Sequence, residues 1–147
     1  MKTSLKPPVS EIILYRDVLN LLQDITDAHR PYECCAALFG RAVGHTLKIS
    51  QAASLPNRRM SRSQFGIAED DFMSLLSKVK LPFCGLYHSQ KQSLFPSKKD
   101  IVGIKQTRRP WLIGTMESPS KSGSTLKVRA YASRGEHVFV VDHRIKM

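Results

Sequence analysis

The sequence predicts an α/β fold, a single mixed β-sheet flanked by helices, in one domain spanning residues 1–147. Three observations point there. Apolar residues fall at helical spacing over Arg16 to His29 and again over Glu69 to Val79. Between and after them lie short apolar runs bounded by Gly or Pro, the mark of buried strands. No repeat, low-complexity tract or linker-like stretch divides the 147 residues, a length typical of one domain. Strands and helices alternate without strict βαβ regularity, so the sheet is expected to be mixed.

The elements follow in order. Val9 to Leu14 reads either as a short first strand or as the opening of the next helix. Val18, Leu21, Leu22, Ile25 and Ala28 give the first helix its apolar stripe, and Arg30-Pro31 ends it. Cys34 to Phe39 is a small apolar strand closed by Gly40, and Leu47 to Ala53 alternates as another. Pro56 to Ser63 is a polar, basic surface loop. Phe72, Leu75, Leu76 and Val79 line the second helix, which has acidic residues at its N-terminal end where the helix dipole favours them. Pro82 to His88 is a strand that runs into polar residues. Ser97 to Thr107 is a third helix, and Trp111 to Met116, Leu126 to Ala132 and Val138 to Val141 are the remaining strands.

Composition narrows the function classes. No segment approaches the ~20 apolar residues of a membrane span, and Met1 to Ser10 lacks the apolar core of a signal peptide. Three cysteines, two of them adjacent at Cys34 and Cys35, suit a reducing compartment better than a disulfide scaffold, so the expected location is cytoplasmic. The formal net charge is +11, which invites a nucleic-acid reading. The cations are scattered, however: Arg58, Arg59 and Arg62, then Lys98 and Lys99, Arg108 and Arg109, Lys127 and Arg129. No RNP-type strand or helix-turn-helix signal accompanies them. A solvated basic surface is the expectation.

The chemistry lies in Gly85-Leu86-Tyr87-His88-Ser89-Gln90 and Phe95-Pro96-Ser97-Lys98-Lys99-Asp100. Residues two apart on a strand share a face, so His88 and the side chain at 90 can aim at one point beyond the strand end. Asp100 arrives from the first turn of the next helix. A histidine, a second strand-end ligand and a carboxylate give three protein ligands and one open position, the arrangement of catalytic zinc. Cys84 shares the face of His88 but lies roughly 13 Å back along the strand, at ~3.3 Å per residue, and is assigned to the core.

These residues resemble the signature of the JAMM (MPN+) metallopeptidases: an upstream Glu, then His-x-His, seven residues, Ser, two residues and Asp. Glu33 lies in Pro31-Tyr32-Glu33-Cys34-Cys35-Ala36-Ala37-Leu38-Phe39-Gly40, similar to the family's P-x-E-x-C-G-L-L-x-G. His88-Ser89 follows Gly85 as in G-x-x-H-S-H, and Pro96-Ser97-x-x-Asp100 matches P-S-x-x-D. Asn57, Phe65, Asp70 and Phe72 stand where the family has its N…F-x-I…D/E-x-F stretch. The resemblance is to a stand-alone domain of prokaryotic type and covers nearly the whole chain. It departs at Gln90, which takes the place of the second His, and in the six residues (91 to 96) before Ser97.

The resemblance implies a cytidine-deaminase-like MPN fold and Zn2+ as cofactor, held by His88, Asp100 and the substituted Gln90. It implies Glu33 as general base and Ser97 as hydrogen-bond donor to the oxyanion. The implied activity is hydrolysis of the bond after the C-terminal tail of a ubiquitin-like protein modifier, which makes that modifier or its conjugates the expected partner. The alternative is a catalytically degenerate MPN module that serves as a binding or scaffolding subunit. Each residue also has a plainer reading: Ser97-x-x-Asp100 is a capping box, Glu33 a solvated charge at a strand mouth, and His88 a hydrogen-bonded histidine. Neither a membrane nor a nucleic acid is an expected partner. If the basic surface is merely solvated, binding to random duplex DNA will be weak in a filter or anisotropy assay and gone by ~0.2 M salt, as counterion release dictates. Sequence-selective binding that survives that salt would reverse the reading.

Overall fold

The computed structural model describes residues 9–57, 68–91, 93–120 and 123–147. The basic loop expected over Pro56 to Ser63 lies outside these residues from Arg58 onward, as does Phe65. The chain begins with β1 (Glu11–Tyr15), α1 (Arg16–His29), β2 (Cys35–Val43) and β3 (Thr46–Leu55). It continues through α2 (Glu69–Leu76), β4 (Phe83–Ser89), α3 (Lys98–Thr107), β5 (Trp111–Ser120), β6 (Gly123–Arg134) and β7 (His137–Lys146). No helix among the described residues is long and apolar enough to cross a membrane.

The strands form a closed barrel in the order β1-β3-β2-β4-β5-β6-β7. β1 pairs in parallel with β3 and with β7, and β4 in parallel with β5. The other neighbours are antiparallel. This corrects the expected fold class, a single mixed sheet flanked by helices, and with it the MPN fold that the resemblance implied. Parallel and antiparallel pairs do coexist, but the terminal strands β1 and β7 bond to each other, so the sheet has no free edge. Periodicity within a segment reports which face is buried and carries no information about that closure.

The core explains why α1 forms where it does. Its apolar stripe buries Val18, Leu22 and Ile25 in a cluster to which all seven strands contribute, among them Ile12, Leu38, Ile49, Tyr87, Leu112, Leu126 and Val141. Thr26 continues that stripe, and its hydroxyl meets the Tyr87 hydroxyl at 2.6 Å and the Leu22 carbonyl at 2.7 Å. The buried phenol is thereby satisfied rather than stranded. α2 covers a second cluster of Cys35, Ala37, Phe39 and Leu55 through Phe72, Leu75 and Leu76. α3 contributes Ile104 to a third with Trp111, Ile113 and Tyr131. All three cysteines are buried and unpaired with one another.

Two boundaries differ from the sequence reading for local reasons. β2 runs past Gly40 to Val43, with a register shift between Phe39 and Gly40 against β3. Gly40 is thus a bulge in a strand rather than its end. α3 begins at Lys98 because Ser97 is its N-cap, not its first turn. Gly85 on β4 lies against the Pro110 carbonyl, which also accepts the Leu86 amide at 3.2 Å. A methyl group there would force β4 from β5. Gly85→Ala should therefore destabilise the fold by about 1–3 kcal/mol, the usual range for overpacking, read as a lower urea midpoint. An unchanged midpoint would show that the strands part freely.

Candidate functional site

Three side chains singled out by sequence are brought together at the strand ends of the barrel. β2 and β4 pair antiparallel with Cys35 opposite His88, which places Glu33, two residues before Cys35, next to the end of β4. The backbone around Glu33 is fixed on both sides. Asn57 Nδ2 donates to the Glu33 carbonyl at 2.7 Å, and the Cys34 amide donates to Ser89 Oγ at 2.9 Å. The Ser89 amide in turn donates to the Cys34 carbonyl at 3.0 Å.

His88 and Asp100 meet directly. His88 Nε2 lies 3.0 Å from Asp100 Oδ1, with His88 2% and Asp100 3% exposed. The other carboxylate oxygen, Oδ2, accepts the Ser97 amide at 2.8 Å, and the Ser97 hydroxyl accepts the Asp100 amide at 3.1 Å. The capping box read from Ser97-x-x-Asp100 is therefore present. His88 Nδ1 is 3.2 Å from the Ser89 carbonyl, and the Trp111 ring packs edge-on at 5.9 Å.

Electrostatics separate the two carboxylates. Burial raises the pKa of Glu33, helped by the charge of Asp100 and opposed by His88 and Lys91. Burial also pushes Asp100 upward, but the hydrogen bond and charge of His88 and the bonds from Ser97 outweigh it and leave its pKa lowered. One carboxyl is biased toward the neutral form and its neighbour toward the anion, the division of labour an acid–base pair needs.

Beside these groups opens a cleft of about 340 Å³ lined by Thr26, Arg30, Pro31, Tyr32, Glu33, Ser89, Gln90, Lys91 and Met116. His88 and Asp100 are not among its lining residues. Arg30, Lys91 and Met116 were not singled out by sequence. Lys91 follows the motif directly and was the one legible candidate, whereas Met116 reaches the cleft from β5 by tertiary packing alone.

The ligand set fits a catalytic zinc only in part. Such a site needs three protein ligands around one point, and among the described residues no group of three His, Cys, Asp or Glu side chains is so placed. His88 and Asp100 converge, but on each other. Gln90 Nε2 donates to the carbonyls of Ser93 and Phe95, each at 2.9 Å. A neutral amide oxygen is in any case a weaker zinc ligand than an imidazole nitrogen. As arranged, the donors among the described residues do not complete a three-ligand zinc site.

The buried Glu33 gives a pH-dependent prediction. A carboxyl whose folded pKa is raised contributes favourably below its unfolded pKa, and that contribution is lost as pH rises through the folded value. Glu33→Gln should therefore raise the urea midpoint at pH 7 and lose this advantage as the pH falls through the ordinary carboxylate range. A variant less stable than wild type at pH 7 would show that the charged form of Glu33 is held by favourable contacts.

No family model matches the chain, and no curated protein matches it. Among solved structures the barrel is similar to the solution structure of protein DSY2949 from Desulfitobacterium hafniense, at 17% identity with a TM-score of 0.78, over 92% of each chain. That likeness concerns the fold.

Proposed function

We propose that the chain is a binding module, built on a hydrolase-like arrangement, that holds an extended C-terminal tail of a ubiquitin-like protein in the cleft beside Glu33. The observation that carries this reading is the His88–Asp100 contact. The two groups best suited to bind a metal lie 3.0 Å apart, face each other, are buried, and do not line the cleft. The cleft itself suits a peptide terminus. Arg30 and Lys91 offer positive charge to a carboxylate, although Arg30 also reaches Asp27 at 3.6 Å. Pro31, Tyr32 and Met116 offer apolar wall to the chain behind it. The modifier as partner class comes from the resemblance to the JAMM signature.

A second reading is the zinc-dependent isopeptidase. It is favoured by Glu33, a buried carboxyl of raised pKa at the cleft, as a general base requires. Elemental analysis and calorimetry separate the two. The binding module predicts well under roughly one zinc per chain, an intact tail after prolonged incubation with a ubiquitin-like protein, and binding weakened about tenfold by Lys91→Glu, or ~1.4 kcal/mol. Stoichiometric zinc with tail cleavage abolished by Glu33→Gln would establish the enzyme instead. Neither binding nor cleavage would remove both readings.

A further inference from the structure

The polar groups at the end of β4 assign Gln90 a task of its own. Its backbone amide donates to the Gly114 carbonyl at 2.8 Å, which ties the residue to β5. From that fixed base the side chain turns toward the chain that follows. The two N–H bonds of its amide point at two carbonyl oxygens, those of Ser93 and Phe95, each 2.9 Å from Nε2. Both are acceptors in a connection with no ladder of its own to satisfy them.

The same connection is gripped elsewhere by side chains from the barrel. Thr115 Oγ1 donates to the Lys91 carbonyl at 2.9 Å, and Tyr131 Oη to the Leu94 carbonyl at 2.7 Å. The Phe95 amide donates to Ser93 Oγ at 2.9 Å. Arg129 stacks over the Phe95 ring at 5.5 Å, which holds an aromatic side chain that is 68% exposed. Four loop carbonyls thus receive side-chain donors, two of them from one residue.

We infer that Gln90 is a positioning residue, a latch that fixes the β4–α3 connection and so sets both Lys91 at the cleft and the start of α3 that carries Asp100. The geometry demands a primary amide. A carboxylate of the same shape has no proton to donate, and a neutral imidazole has one N–H where two carbonyls wait. The inference deepens the binding reading, because Lys91 is part of the cleft that reading relies on.

Hydrogen exchange of the full chain tests it without reference to any ligand. Gln90→Glu keeps the shape and removes both donors, and Gln90→Met removes them without adding charge. Each should speed exchange at the Phe95 amide by about tenfold, because its bond to Ser93 Oγ persists only while the connection that Gln90 ties down stays in place. The Leu112 and Ala36 amides, in the paired strands, should stay as protected as in the wild type. Gln90→His should loosen the Phe95 amide similarly, and a zinc titration against a competing chelator should show no tighter binding than wild type. Unchanged Phe95 protection in both the Glu and Met variants would overturn the latch. So would a Gln90→His protein that binds zinc tenfold tighter with Phe95 still protected. Failure of a ubiquitin-like tail to bind the wild type would remove the binding reading and leave the latch standing.

Discussion

The pairing of β7 with β1 is the constraint on which the rest depends. Five residue pairs in parallel, from Glu11 with Asp142 to Tyr15 with Lys146, join strands from opposite ends of the chain and close the ring. Once closed, the ring gives α1 a cluster built by every strand, so one helix stripe is enough to complete it. Closure also removes both sheet edges, which otherwise expose unpaired amides and carbonyls to other chains. The ion pair of Arg144 with Glu11, at 3.0 Å on the outside of the seam, adds little, since exposed pairs contribute at most about 1 kcal/mol.

The local elements were legible where a periodicity met a stop signal. α1 has the bounds that its apolar stripe and Arg30-Pro31 predict, because the face its local pattern makes apolar is the one the barrel core takes up. The late strands were read too short. β5 runs on through Glu117, which pairs with Thr125 at the early part of β6, and β7 runs on through Asp142 and Arg144, which pair with β1; these exposed polar residues are held by backbone bonds rather than by burial. Closure was not legible at all. A strand carries the same alternation whether its neighbour lies in an open sheet or across a barrel seam.

The site divides along the same line. Ser97 and Asp100 are three residues apart, so their mutual bonds follow from helix geometry and could be read directly. The meeting of His88 with Asp100 followed from strand-end and helix-start positions, and it occurs. The orientation of Gln90 did not follow. Strand parity says that residues 88 and 90 share a face, but parity stops where the strand stops, at Ser89. Beyond it the path of the connection decides, and that path is set by Thr115 and Tyr131 from other strands. The burial of Glu33 was hidden for a similar reason, since Asn57 on the far side of β3 fixes its backbone.

The burial of the three cysteines has a consequence for thiol chemistry. Reaction with an alkylating reagent or a peroxide needs the thiolate, and burial suppresses it at every position. Cys35 and Cys84 are pushed up to about 12, and Cys34 is raised as well despite bonds from Ser89 and Thr26. All three cysteines are buried in the folded protein. Reaction with maleimide dyes should therefore be slow in the folded protein and fast on opening. Its own cysteines serve as a built-in reporter of unfolding, and a single cysteine placed on the surface would accept a label without any prior removal of the natural ones.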